Sequence, residues 1–60
     1  MVEVILNKGA HFSYTAELKE DNTLFLRRLD EEDHIVAQIT LLDFETIALF
    51  KFLKAYLKVK

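Results

Sequence analysis

Apolar and polar residues alternate along the first two thirds of this chain and recur with helical spacing along the last third. Val2, Val4 and Leu6 alternate with Glu3 and Ile5, which predicts a strand over residues 2–6 closed by the turn Asn7-Lys8-Gly9. A second strand is predicted over 11–18, with Phe12, Tyr14, Ala16 and Leu18 on one face and His11, Ser13, Thr15 and Glu17 on the other. Glu20-Asp21-Asn22 has the composition of a hairpin connection. Residues 23–29 predict a third strand that opposes Leu24 and Leu26 to Phe25 and Arg27. After the acidic run Asp30–Asp33, residues 34–40 predict a fourth, with Ile35, Ala37 and Ile39 inward and Val36 and Gln38 outward. The chain has no proline to interrupt these ladders.

Residues 41–58 read as a helix. Thr40 is the expected N-cap, with Asp43 three positions on, near the positive end of the helix dipole. At 100° per residue, Lys51, Lys54 and Lys58 share a narrow polar sector opposite Leu49, Phe52, Leu53 and Tyr56. Ala48, Phe50, Leu57 and Val59 widen the apolar side to about half the circumference, with Phe44 on its other flank. The expected fold is α+β and a single domain over 1–60: an antiparallel sheet of about four strands followed by one C-terminal helix.

A helix laid on one sheet needs only an apolar stripe, so the excess calls for a second surface. Size sharpens that demand. Sixty residues bury roughly 60% of what the unfolded chain exposes and commonly need a staple or a partner. The chain has no cysteine for a disulfide, and His11 and His34 alone make no conventional zinc site. No metal and no cofactor is expected. A homodimer through the helix is the expected solution, with Phe44, Leu49, Phe50, Phe52, Leu53, Tyr56 and Leu57 at its interface. The high apolar fraction, 52%, agrees with that. The alternative is that twisted strands or the N-terminal segment wrap the flank within one chain.

Charge is unevenly placed. The net charge is −2, with acids concentrated in 20–45 and lysines in 46–60. That balance gives no global attraction to nucleic acid. No run approaches the roughly 18 apolar residues of a membrane span, and a cytoplasmic location is expected. Catalytic chemistry finds little support. Asp33-His34 suggests an Asp–His base, but no nucleophile accompanies it, and Asp30–Asp33 lacks the spacing and glycine of a calcium loop. No catalytic residue is assigned.

Arg27 and Arg28 are the only basic pair in the sheet, and alternation sends them to opposite faces. Phe25 beside Arg27 on the outer face is the stack-plus-phosphate pairing used by sequence-neutral single-strand binders. The competing reading packs Phe25 in an oligomer and pairs Arg27 with an acid such as Glu17. Phe12 and Tyr14 either join the platform or belong to the core.

The order of elements, with strands leading through Ile39-Thr40-Leu41 into an acid-capped helix bearing Phe44 and Leu49, resembles the transcriptional coactivator p15/PC4 family over about residues 10–57. The resemblance implies a homodimer with paired C-terminal helices that binds single-stranded DNA on curved antiparallel sheets. It implies Phe12, Tyr14, Lys19, Phe25 and Arg27 as binding positions. That family's sheets are markedly basic, whereas residues 20–45 here are acidic. The leading expectation is a non-enzymatic nucleic-acid-binding accessory protein of the kind that regulates transcription, sized to suit a virus or mobile element. The alternative is a protein–protein interaction or assembly module using its apolar helix face.

Overall fold

A computed structural model describes residues 2–59 and gives a four-stranded antiparallel meander followed by one helix. The strands are β1 (Val2–Lys8), β2 (Phe12–Leu18), β3 (Leu24–Asp30) and β4 (Ile35–Leu41), paired in the order β1-β2-β3-β4. The helix α1 spans Asp43–Tyr56. The expected α+β architecture is therefore present.

Two like turns set the register of the inner hairpins. Asn22 N–H donates to the Lys19 carbonyl (3.0 Å) and Asp33 N–H to the Asp30 carbonyl (3.0 Å). Asn22 (φ 69°) and Asp33 (φ 63°) both take the left-handed conformation that Asn and Asp tolerate best after glycine. Each turn carries an aspartate that satisfies backbone donors. Asp21 Oδ1 accepts from Thr23 N–H, and Asp30 Oδ1 accepts from Glu32 and His34 N–H.

Strand β1 runs further than the polar stretch Asn7-Lys8 suggests. Asn7 pairs with Tyr14 and Lys8 with Ser13, because a bulge at Leu6 re-phases the strand instead of ending it. The turn closes around Gly9, whose N–H donates to the Phe12 carbonyl at 2.8 Å. A second bulge, at Val36, corrects another expectation. It places Ile35 opposite Leu29, on the face of Phe25 and Arg27 and not with Ala37 and Ile39.

The helix is shorter than expected at both ends: it stops at Tyr56, leaving Leu57, Lys58 and Val59 outside it, and it starts later. Thr40 stays in the β4 ladder opposite Phe25, and Leu42 is the N-cap. Leucine offers no acceptor there. The cap is made from the other direction, by Glu45, whose carboxylate accepts from Leu42 N–H at 2.9 Å. Thr46 Oγ1 donates to the Leu42 carbonyl at 3.0 Å. Asp43 and Glu45 in the first turn and Lys54 in the last complement the helix dipole.

The described residues form regular strands and a helix but enclose no apolar core. Among the described residues no apolar side chain is buried, and Thr15 alone is buried, at 8% exposure. The helix meets the sheet chiefly at β4, where the chain passes from strand to helix. The radius of gyration is 12.8 Å, against about 10.4 Å for a compact domain of this length. The exposed area, 5155 Å², exceeds by about 1,100 Å² what a compact 7.0 kDa monomer presents.

Candidate functional site

Strand parity and register divide the side chains between two unlike sheet faces. One face carries Val2, Val4 and Leu6 from β1, and Phe12, Tyr14, Ala16 and Leu18 from β2. From β3 it carries Leu24, Leu26 and Arg28, and from β4 Ala37, Ile39 and Leu41. The side chains are almost all apolar, yet none is buried: Leu24, Leu26 and Leu41 are half-buried, Val4 is 48% exposed and Ile39 60%. Across the middle of this face runs an open groove of about 310 Å³ walled by Leu6, Tyr14, Leu26, Ala37 and Ile39. Arg28 borders it, with its guanidinium carbon 3.8 Å from the centre of the Phe12 ring. Arg28 Nε is buried and meets no acceptor among the described residues.

The opposite face is mixed, with Ile5, Phe25, Leu29 and Ile35 around a polar centre that is already paired. Arg27 Nη1 donates to Glu17 Oε1 at 2.7 Å and Arg27 Nε to Gln38 Oε1 at 2.8 Å. Glu3 stands 3.9 Å from the same guanidinium. Phe25 lies beside this network, with the Arg27 guanidinium carbon 4.8 Å and Lys19 Nζ 5.5 Å from its ring centre.

The five expected nucleic-acid contacts are thus separated. Phe12 and Tyr14 stand on the apolar face, whereas Phe25 and Arg27 share the polar face, with Lys19 against Phe25. No single surface holds all four sheet residues. The pairing of Arg27 with Glu17, the competing expectation, is what the geometry contains.

The helix residues expected at an interface are all available for one. Phe44 is 65% exposed, Tyr56 74%, and Phe50, Phe52, Leu53 and Leu57 are exposed too, with Leu49 half-covered. Phe52 and Tyr56 form a tilted pair one turn apart, with ring centres 5.4 Å apart and planes at 40°, which gives the apolar sector an aromatic ridge. Lys54 lies 5.8 Å from the Phe50 ring at the edge of that sector. Lys60 lies outside the described residues.

Sequence reasoning did not single out the groove. Its signal was present in the Val2-Val4-Leu6 alternation, but the contributions of Ala37 and Ile39 required the β3–β4 register. At the far end of the sheet, His34 Nδ1 sits 3.6 Å from Asp30 and 3.7 Å from Glu32, and His11 3.8 Å from Glu31. These are imidazole–carboxylate contacts at hairpin tips, open to solvent and each worth little. Among the described residues no three acidic or histidine side chains converge as a metal site, and no helix is long and apolar enough to cross a membrane.

No protein-family model matches this chain, and neither a curated protein nor a solved structure shows significant similarity to it.

Proposed function

We propose that this protein is a non-enzymatic assembly module whose folded form is completed by association through its two apolar surfaces. One observation carries this reading: a chain that is 52% apolar buries none of its described apolar side chains. Hydrophobic burial is the main favourable term in folding, at about 25 cal/mol per Å². A lone sheet with an uncovered apolar face and a detached helix forfeits most of it. A partner that removes the excess of about 1,100 Å² from water restores a normal surface for the chain's mass. If the partner is identical, the pair buries roughly 2,200 Å², within the range of obligate homodimers.

The test is the concentration dependence of thermal unfolding. Association that stabilises the fold raises the melting temperature as protein concentration rises. A melting temperature unchanged over a hundredfold range of concentration contradicts the reading.

A second reading keeps single-stranded nucleic acid as a ligand, now centred on the polar face. The observation that favours it is the Phe25 ring held between Lys19 and Arg27, an aromatic platform with flanking cations. Glu3 and Glu17 oppose it by neutralising Arg27. Under this reading, labelled single strands bind saturably, binding weakens with salt, and Glu17→Gln tightens it. Absence of binding at low salt removes it.

A further inference from the structure

We infer that the groove across the apolar sheet face is the seat of the C-terminal helix of a second copy of this chain, each helix lying on the other's sheet. The inference rests on the self-association proposed above and specifies its geometry. It differs from a contact made by the two helices alone, which leaves both sheet faces wet.

Dimensions favour the exchange. A helix of 14 residues is about 21 Å long. A strand of seven residues runs about 24 Å, and four strands span about 14 Å between the outer axes. One helix therefore matches the extent of one sheet face. Within a chain the match is not used, because α1 meets its own sheet chiefly where it leaves β4.

Area favours it as well. Each chain presents one apolar sheet face and one helix that is apolar over about half its girth. Reciprocal exchange about a twofold axis consumes one of each from both copies and leaves neither open, so the assembly closes as a dimer. The excess of about 1,100 Å² per chain, roughly 2,200 Å² for a pair, falls within the range that obligate dimers bury. A helix pair without the sheets leaves Val2, Val4, Leu6 and Ile39 exposed.

The deciding experiment uses the unaltered protein. A sample mixed from carbon-13-labelled and unlabelled chains, unfolded and refolded together, gives isotope-filtered NOE spectra that report only contacts between copies. Mass is measured by light scattering in the same buffer. Cross-peaks from the labelled Leu26 and Ile39 methyls to the rings of unlabelled Phe50, Phe52 and Tyr56, with a dimeric mass, are expected. Ile39→Lys should abolish those cross-peaks and halve the mass, and Thr40→Lys, on the polar face, should leave both unchanged. A dimer whose filtered cross-peaks join helix to helix or sheet to sheet overturns the exchange while preserving self-association. A monomer without filtered cross-peaks overturns both.

Discussion

The Arg27 guanidinium donates to the Glu17 carboxylate at 2.7 Å, with both side chains largely covered, at 20% and 15% exposure. Thr15, the one buried described residue, belongs to the same face. The best-packed part of the chain is therefore a polar network on the central strands. Most of the apolar residues of the sheet are turned the other way, with Ile5, Phe25, Leu29 and Ile35 the exceptions.

That pair should register in a double-mutant cycle. Glu17→Gln and Arg27→Gln, alone and together, are expected to show a coupling energy of about 0.5–1 kcal/mol in urea unfolding at matched protein concentration. A coupling near zero would mean that the pair is not maintained in solution.

The hairpin turns make a sharper local prediction. Asn22→Ala puts a side chain with no local hydrogen bond into a left-handed conformation and is expected to cost about 1–2 kcal/mol. Asn22→Gly should cost much less. At Gly9 the constraint is contact: a Cβ there would lie 2.8 Å from the Phe12 carbonyl oxygen, so backbone must shift. Gly9→Ala is expected to destabilise by about 1–3 kcal/mol. Urea midpoints that put Asn22→Gly below Asn22→Ala would refute the turn assignment.

Acid should act partly through Asp30. Hydrogen bonds from His34 N–H and then Glu32 N–H, with the nearby His34 charge, outweigh desolvation and hold its carboxyl below the ordinary 3.8. A depressed folded pKa contributes stability that is complete above the unfolded value and is lost as pH falls through the folded one. The loss therefore belongs below about pH 4. Asp30→Asn should flatten that acid limb in urea midpoints taken from neutral pH to pH 2.5. An unchanged slope would show that the turn does not hold the carboxylate in its ionised form.

The helix surface offers a contrast between its two sides. Phe52→Ala and Tyr56→Ala are each expected to raise the dissociation constant of the assembly at least about tenfold, since large aromatics in a desolvated contact dominate binding energy. Lys51→Ala, in the polar sector, should change it little. Equal effects from all three, measured by analytical ultracentrifugation, would place the contact elsewhere.

Much of this architecture is legible in the sequence. The Phe12–Leu18 alternation, the Asn22 turn and the Lys51–Lys54 spacing on the helix each obey a local rule, and the structure follows them, whereas Lys58 lies beyond the helix end. What escaped depends on relations between strands. Bulges at Leu6 and Val36 carry no marker in composition, yet the first extends β1 through Asn7 and Lys8 and the second turns Ile35 to the other face. Thr40 looks like a cap because its hydroxyl suits that role, but its place opposite Phe25 keeps it in the ladder. Phe12 and Phe25 could be assigned to one platform only by ignoring parity across the hairpin. Once Leu18 faces Leu24, even positions of both strands share a face and odd positions the other. The width of the apolar helix side was visible from spacing alone, and the uncovered sheet face opposite the Arg27 network supplies its counterpart.

Sedimentation equilibrium of the unaltered chain tests the central claim most directly. A core completed by a second copy predicts a single species of about twice the 7.0 kDa chain mass at micromolar concentration, dissociating only as the protein unfolds. A folded species of 7.0 kDa at every concentration, with a cooperative unfolding transition of its own, would contradict it.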